Sequence, residues 1–314
     1  MKYTIEDLKT MQSFSLDRKI QITQTRILEW YTKFNGKVCI SFSGGKDSTV
    51  LLDLARRMYP DIEAVYVDTG LEYPEVRDFA LSQTNVTRLK PEMNFKKVIE
   101  KYGYPLISKE VSRDIAVARR KPEGKTAQRF IRGSDYHKKY GDAWLLEKWI
   151  PLRDSNIPIS NQCCNIMKKH PANKYYKKSG IFPILATMAC ESRLRKQQWL
   201  NNGCNAFDKD NPSSQPMSFW TEQDVLLYIK RYGIKYATVY GDILEDKKGK
   251  LYTTGCDRTG CVFCAYGCHL EKEPNRFQRL KQTHPKLWEY CMKPVSEGGL
   301  GMKEILEYIG VKIE

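Results

Sequence analysis

The sequence has no long hydrophobic run, because no apolar stretch approaches the roughly 20 residues that a membrane-spanning helix requires. The first residues also lack the apolar core of a secretory signal peptide. No internal repeat is present. These absences argue against an integral membrane protein, and we expect a cytoplasmic protein without a membrane partner.

Acidic residues are scarce relative to basic ones: 37 Asp and Glu stand against 52 Lys and Arg, which leaves a formal net charge of +15. Such a positive excess favours polyanionic partners such as nucleic acids or nucleotides. A basic surface that serves only solubility is the alternative. With 314 residues the chain is long enough for one large or two small domains with a sizeable core.

Cysteine is abundant, with ten residues, and it is unevenly spaced. Four cysteines fall within CDRTGCVFCAYGC, and two are adjacent in QCCN. In a reducing compartment, closely spaced cysteines indicate metal or redox chemistry rather than disulfide bonds.

Strand and helix patterns alternate in the first part of the chain. KVCISFS and DIEAVYVDTG are predicted strands, and each precedes a predicted helix, DSTVLLDLARRMY and EYPEVRDFALSQ. Residues 5–33 are predicted to be helical, IFPILATMA to be a strand, and a capped helix to start at Thr221. This order predicts an α/β fold with a parallel, twisted sheet flanked by helices. The predicted divisions are a helical N-terminal segment (1–33), an α/β domain (34–205) and a helical, cysteine-rich region (206–314).

The stretch SGGKDS lies between the first predicted strand and the helix after it. Gly44 and Gly45 let the backbone turn sharply and bring its N–H groups close to an anion. The positive end of the helix, the Lys46 ammonium and the hydroxyls of Ser41, Ser43 and Ser48 add to that attraction. The spacing differs from the nucleoside-triphosphate loop G-x-x-x-x-G-K-[ST]. The stretch therefore predicts a phosphate site of another kind.

Four motifs, in order, resemble the PP-loop (adenine nucleotide α-hydrolase-like) superfamily and its phosphoadenosine phosphosulfate (PAPS) reductase branch. SGGKDS is similar to the pyrophosphate-binding loop, and DTGLEYPE to the D-T-G-x-x-F-P-E signature. ACESRLR and FWTEQDVLLYI are similar to the E-S-x-x-R and W-T-x-x-D-V segments. The resemblance covers about residues 30–290. It implies cleavage of ATP between the α- and β-phosphates, with 34–205 as the nucleotide-binding domain.

The resemblance also implies site residues. The candidates for catalysis are Lys46, Asp47, Asp68, Arg193 and Arg195. The two aspartates would lie near the nucleotide or its Mg²⁺, and the two arginines would bind phosphate oxygens. A turn-capping role for Asp68 and a solvent-exposed helix face for the arginines are the alternatives. The candidates for binding ATP are Ser41, Ser43, Gly44, Gly45, Lys46, Asp47, Ser48, Asp68, Thr69, Gly70, Glu191 and Ser192.

Two cysteine segments carry a further resemblance. QCCNIMKKHP is similar to the C-C-x-x-x-K-x-x-P segment of the reductases that hold a [4Fe–4S] cluster, and TGCVFC to their second pair. The implied cluster ligands are Cys163, Cys164, Cys261 and Cys264. Such a site requires the fold to bring the two pairs together. Because Cys256 and Cys268 flank the second pair, a local four-cysteine site that binds zinc is the alternative.

Two departures from the family argue against reduction of PAPS or adenylylsulfate. The sulfonucleotide reductases carry a nucleophilic cysteine in a C-terminal E-C-G-x-H segment, whereas the tail here has only Cys291, in EYCMKP. Met188 stands where the family has an arginine ahead of E-S. We therefore expect ATP-dependent adenylation of a substrate for sulfur transfer. Sulfonucleotide reduction and a non-catalytic nucleotide- or DNA-binding regulator are the alternatives.

The acceptor is predicted to be a nucleic acid, since the resemblance extends to DNA phosphorothioation sulfur-transfer proteins. A basic insertion suits a phosphate backbone through Arg119, Arg120, Lys121, Lys125, Arg129 and Arg132. Tyr136, Tyr140 and Trp144 are candidates for stacking on bases, with core packing as the alternative. The predicted partners are an adenine nucleotide, a nucleic acid and a cysteine desulfurase or other sulfur donor.

Overall fold

The computed structural model describes residues 2–207 and 212–314. Within these residues the chain splits into two compact units, each discontinuous in sequence. The first comprises the described residues of Met1–Asp68, Glu72–Lys90 and Pro171–Thr259. The second comprises Thr69–Leu71, Pro91–His170 and Gly260–Glu314. The three consecutive segments drawn from the sequence stay a prediction.

The described residues form fourteen α-helices. They are α1 (Ile5–Gln12), α2 (Leu16–Lys33), α3 (Lys46–Arg56), α4 (Pro74–Ser82), α5 (Phe95–Tyr102), α6 (Lys109–Arg120), α7 (Asp135–Tyr140), α8 (Ile150–Asp154), α9 (His170–Ser179), α10 (Arg193–Asn202), α11 (Glu222–Tyr232), α12 (Arg276–Thr283), α13 (Pro285–Met292) and α14 (Met302–Tyr308). None of these helices is both long and apolar enough to cross a membrane.

Ten short strands are present in the same residues. They are β1 (Val38–Phe42), β2 (Glu63–Val67), β3 (Val86–Leu89), β4 (Leu106–Ile107), β5 (Phe182–Leu185), β6 (Asn205–Ala206), β7 (Ser213–Ser214), β8 (Ile243–Glu245), β9 (Leu251–Thr253) and β10 (Ala265–Tyr266). Six strands of the first unit form one sheet in the order β3-β2-β1-β5-β7-β6. All neighbours in it are parallel except β6 and β7. The predicted α/β class, with its mainly parallel sheet, is confirmed.

The core of the first unit lies between the sheet and helices α2, α3 and α11. Strand β1 is almost entirely buried, as expected for a central strand that helices cover on both faces. Trp30, Leu51 and Trp220 are among the largest fully buried side chains. The predicted capping box of α11 is present, because Thr221 N donates to Asp224 Oδ2 at 2.7 Å.

The N-terminal region is helical as predicted, but residues 5–33 form two helices rather than one. The chain leaves the helical path at 13–15, and Ser15 caps α2 by accepting a hydrogen bond from Arg18 N. Serine at this position competes with helix continuation because its hydroxyl satisfies a backbone donor at a new helix start.

The second unit is mainly helical, with strands β4 and β10 paired in parallel. Its buried apolar residues come from both of its long sequence segments, and they include Ile115, Phe130, Phe277 and Leu306. Arg119 of α6 binds the end of α8 and the segment that follows it, because its guanidinium donates to the carbonyls of residues 152, 153, 155 and 157. This residue therefore has an internal structural role, which differs from the predicted contact with a phosphate backbone.

Candidate functional site

The loop after β1 folds as the glycine pattern predicts. Gly44 has φ +72°, and a Cβ atom at this position would lie 2.7 Å from the Val76 carbonyl oxygen. Only glycine fits such a left-handed backbone pressed against α4. Gly45 then forms the N-cap of α3, so the helix begins at Lys46. The first turn of α3 thus presents its positive end at the carboxyl edge of the sheet.

The serine hydroxyls of the loop contact one another. Ser43 Oγ lies 3.0 Å from Ser48 Oγ, and Ser43 N donates to Ser48 Oγ at 3.2 Å. Ser48 Oγ in turn donates to the Gly45 carbonyl at 2.9 Å. Ser41 lies within β1, where its backbone is in register with strands β2 and β5, so it is not part of the loop.

Lys46 is a buried lysine, only 4% exposed. Its Nζ lies 2.9 Å from Glu222 Oε1 and also donates to the Asp257 carbonyl. The ammonium lies 5.2 Å from the ring centroid of Tyr240, whose hydroxyl accepts from Lys46 N at 3.4 Å. A buried ammonium needs such partners because it has lost its hydration. An anionic ligand would compete with Glu222 for it.

Asp47 is the least satisfied polar residue of the loop. Its Oδ1 atom is buried and has no hydrogen-bond partner. Burial raises the pKa of this carboxyl, while the positive charges of Lys46 and Arg258 oppose the rise. A buried carboxylate oxygen without a partner is costly, and it is the kind of atom that a bound cation or hydrogen-bond donor would satisfy.

Glu191 forms ion pairs with two arginines whose charges also act on Asp47. Its carboxylate forms ion pairs with Arg195 and with Arg258, the latter at 3.2 Å, and it accepts from Met188 N at 2.7 Å. Burial and the positive charge of Arg258 lower the pKa of Arg195. Two adjacent guanidinium groups held by one carboxylate offer donors to an anion such as phosphate.

Lys46, Asp47, Glu191 and Arg258 share a cavity of about 370 Å³ in the first unit. It is lined by Lys46, Asp47, Met188, Cys190, Glu191, Thr221, Glu222, Gln223, Lys250 and Arg258. Arg193 lies elsewhere: it lines a second cavity with Ile5 and Leu8 of α1. Ser192 caps α10 by accepting from Arg195 N at 3.2 Å. Arg195 does not line the first cavity, but it pairs with Glu191, which does, and its charge acts on the carboxyl of Asp47.

Asp68, at the end of β2, is held by two arginines. Arg77 Nε donates to its Oδ2 at 3.1 Å and Arg88 Nε at 2.8 Å. Burial acts to raise the pKa of Asp68, but the hydrogen bonds from both arginines hold it below its usual value. Thr69 and Gly70, the next residues of the motif, belong to the second unit, where Thr69 Oγ1 accepts from Leu71 N.

The four predicted cluster ligands lie in the second unit, and their thiols interact. A hydrogen bond with Cys164 and burial raise the pKa of Cys163, and the neighbouring Cys261 and Cys264 raise it further. The same hydrogen bond lowers the pKa of Cys164, as do the ammonium groups of Lys109 and Lys168. Arg276 Nη1 donates to the Cys264 carbonyl at 2.8 Å.

The chemistry of this donor set suits a metal centre, since the four thiols are electrostatic neighbours and cations near Cys164 favour a thiolate. Within the described residues, however, no group of three or more His, Cys, Asp or Glu side chains is arranged to hold a metal ion as it stands. The thiols are therefore electrostatic neighbours without a preformed ligand geometry. Residues 165–169, directly after the pair, form a π-helix, a feature frequent at functional sites.

The remaining cysteines are placed in different surroundings. Cys268 is buried near Cys264 in the second unit, whereas Cys256 belongs to the first unit, so the local quartet is divided between the two. Cys291 is fully buried in α13, and burial raises its pKa. Such a thiol is poorly suited to act as a nucleophile.

Sequence reasoning missed the residues that surround the loop lysine: Glu222, Tyr240, Asp257 and Arg258. Glu222 lies in FWTEQDVLLYI, where the sequence pattern indicates a role only for the helix-capping residues Thr221 and Asp224. Asp257 and Arg258 lie in CDRTGC, a segment that its cysteines marked for metal binding alone. The uninterrupted polar run between those cysteines was the available signal.

Comparison with known proteins places these features in context. A family model described as the phosphoadenosine phosphosulfate reductase domain matches residues 37–266. Two uncharacterized proteins of Methanocaldococcus jannaschii are 26% and 24% identical over 82% and 87% of this chain. The aligned regions span only 41% and 51% of the length of those relatives.

A shorter relative carries a functional name. An adenosine 5'-phosphosulfate reductase of Staphylococcus haemolyticus is 26% identical over 68% of this chain and 70% of its own length. A crystal structure of phosphoadenylyl-sulfate (PAPS) reductase from Candida auris, in its phosphate complex, aligns with 80% of this chain and 98% of that chain. That alignment has 15% identity and a TM-score of 0.39.

Proposed function

Because this chain belongs to the phosphoadenosine phosphosulfate reductase domain family, we propose that it cleaves ATP between the α- and β-phosphates and adenylates an acceptor for sulfur transfer. The observation that carries the proposal is the pairing of a buried ammonium with an unpartnered buried carboxylate at one helix N-terminus, Lys46 beside Asp47. Both residues line one cavity together with Arg258, which adds a guanidinium group. This set offers groups for a phosphate chain and for its cation.

The residues divide the work by charge. Lys46 and the start of α3 would bind the leaving pyrophosphate, and Arg195 and Arg258 would bind oxygens of the phosphates. Asp47, with Oδ1 unpaired, fits a role as ligand to Mg²⁺. That ion, when bound with ATP, supplies charge neutralisation on the phosphates. When a nucleotide binds, the Lys46 ammonium must leave its ion pair with Glu222 and pair with a phosphate instead.

The bond changes are those of an in-line adenylyl transfer. An oxygen of the acceptor attacks the α-phosphorus, and the bond between that phosphorus and the bridging oxygen to the β-phosphorus breaks. The electron pair leaves with pyrophosphate, and the acceptor carries AMP. The terminal sulfur of a persulfide on a donor protein, such as a cysteine desulfurase, then attacks the activated atom of the acceptor, the bond from that atom to the oxygen of AMP breaks, and AMP leaves with the electron pair. A thiol reductant cleaves the resulting disulfide, so that the sulfur stays on the acceptor and the donor cysteine is freed. The acceptor in this proposal is a nucleic acid.

The four interacting cysteines of the second unit would hold a [4Fe–4S] cluster. The donor set fits, because Cys163, Cys164, Cys261 and Cys264 supply four thiol groups and Lys109 favours the thiolate of Cys164. Bound there, such a cluster would supply a site for sulfur or electrons. Anaerobic purification followed by iron, sulfide and zinc analysis tests this part: about four irons per chain support it, and one zinc supports the alternative metal site.

Sulfonucleotide reduction is a second candidate, and the name of the staphylococcal relative favours it. That activity needs an accessible nucleophilic cysteine, and Cys291, the cysteine of the C-terminal tail, is buried. Sulfite release from adenylylsulfate or PAPS with a thiol donor is the test. Sulfite at a rate above a no-enzyme control would replace the adenylation proposal.

Pyrophosphate release from ATP and Mg²⁺ tests the main proposal directly. Wild type is compared with Lys46→Ala and with the matched control Lys248→Ala, an exposed lysine of the first unit. We expect at least a hundredfold loss in Lys46→Ala alone, because an ammonium that stabilises developing charge is among the largest contributors to such a reaction. Equal release by all three proteins would remove Lys46 from the proposed site. No release by any of them, with any nucleic acid present, would favour a non-catalytic regulator.

A further inference from the structure

The second unit carries exposed aromatic rings among lysines and arginines. Trp144 is 46% exposed and Tyr140 is 52% exposed. Large aromatic side chains usually contribute to a core, so two exposed rings in one short segment require an explanation. Tyr136 links them to the rest of the segment, because its ring centroid lies 4.7 Å from that of Tyr140.

A buried arginine contacts two of these rings. The Arg129 guanidinium lies 5.4 Å from the ring centroid of Trp144 and 6.0 Å from that of Tyr136. It is only 6% exposed, and it pairs with Asp114, which is 1% exposed, and with Glu110 at 3.0 Å. The Arg129 Nε also donates to the Trp144 carbonyl at 3.3 Å. Arg129 thus supports Trp144 and Tyr136 from the buried side, and Tyr136 in turn contacts Tyr140.

The buried ion pair between Arg129 and Asp114 has a free-energy cost that bears on its role. Removing an arginine and an aspartate from water is expensive, and such pairs contribute little net stability compared with apolar residues of the same size. Here the pair holds the Arg129 guanidinium against the rings of Trp144 and Tyr136, and Tyr136 in turn packs against the exposed Tyr140. Preorganised rings lose little entropy when a flat ligand stacks on them. The arrangement therefore favours a binding surface over packing.

The charge around the rings is positive. Lys139 Nζ lies 5.3 Å from the ring centroid of Tyr140. Other cations of the segment are held by carboxylates, Arg132 by Glu147 and Lys138 by Asp135. Within the described part of the chain, five exposed cations of this region form no ion pair with a carboxylate: Arg120, Lys121, Lys125, Lys139 and Lys148.

We propose that this surface binds single-stranded nucleic acid, with bases stacked on Trp144 and Tyr140 and phosphates beside Lys139 and its neighbours. Exposed ring faces match unpaired bases, which a duplex does not present, and the unpaired cations match the backbone charge. An acidic protein would complement the lysines but would leave the rings unexplained. The inference names the acceptor of the proposed function and rests on it for that role, while the binding itself is measured independently.

The test is fluorescence anisotropy with labelled 20-nucleotide oligo(dT) and oligo(rU). Trp144→Ala and Tyr140→Ala should each weaken binding about tenfold, and Trp144→Phe should retain most of it, since a stacked base depends on the ring. Tyr252→Ala, which removes an exposed tyrosine of β9 in the first unit, is the matched control and should bind like wild type. Affinity should also fall steeply with salt.

Several outcomes overturn the inference. Wild-type affinity in both alanine variants would show that the rings are not used, and equal loss in Trp144→Phe would exclude stacking. A 20-base-pair duplex that binds as tightly as the single strand would leave only nonspecific charge. The two proposals are tested separately: oligonucleotide anisotropy is measured without ATP and tests this surface alone, whereas pyrophosphate release by wild type and Lys46→Ala tests the ATP site.

Discussion

Asp47→Asn should make the protein more stable and inactive at once. Oδ1 of Asp47 is buried without a partner, and burial raises the pKa of the carboxyl despite nearby cations. An unpaired buried polar group costs about 1–3 kcal/mol. Asparagine still places a polar atom there, but it removes a buried negative charge whose cost Lys46 and Arg258 offset only in part, so we expect the amide to raise the free energy of unfolding by about 1 kcal/mol. The corresponding rise in Tm is about 2 °C.

The gain should depend on pH in a defined direction. A carboxyl whose pKa is raised by folding loses stability as pH rises from its unfolded to its folded pKa. The asparagine does not titrate, so its advantage over Asp47 should be full at neutral pH and should shrink in acid. Thermal melts at several pH values measure this difference.

Asp53→Asn is a matched control on the same helix. Asp53 accepts from Tyr228 Oη at 2.6 Å and from Arg57 Nε at 2.7 Å, so loss of its charge should lower Tm. ATP with Mg²⁺ should raise the Tm of wild type and of Asp53→Asn, but not that of Asp47→Asn, which should also lose pyrophosphate release. A lower Tm in Asp47→Asn with release intact would show that the carboxylate serves the fold alone, and the reasoning would fail.

Three further substitutions follow from the same contacts. Glu222→Gln weakens the internal partner of the loop lysine, so a non-cleavable ATP analogue should bind about two- to fivefold tighter by calorimetry; unchanged affinity would contradict competition between the carboxylate and phosphate. Cys163→Ser should lose iron on anaerobic purification, while Cys291→Ser should retain it, and equal iron contents would refute the predicted ligand set. Arg119→Ala removes the donor shared by four carbonyls and should lower the free energy of unfolding by about 3 kcal/mol in urea, whereas the exposed neighbour Arg120→Ala should change it little.

Local chemistry was readable from the sequence wherever one segment carries all of it. The bend after β1 follows from Gly44, because only a residue without Cβ fits at that position. Thr221 caps α11 because its capping partner, Asp224, is three residues further on. The parallel sheet follows from buried strands that alternate with helices. The break between α1 and α2 was missed, because residues on both sides are strong helix formers and a single serine hydroxyl decides it.

What the sequence by itself determined is the glycine loop, the order of strands and helices, and the charged residues that the loop and its neighbouring segments carry. Only the tertiary structure decided which of them meet. Lys46 donates to the carbonyl of Asp257, 211 residues further along the chain. Arg193 lines a cavity beside α1, whereas Arg195 on the same helix pairs with Glu191. Arg129 is buried, and its guanidinium contacts Trp144. Spacing along a sequence cannot specify such pairs, because long-range contacts are set by how whole elements pack and by which buried charges then find partners.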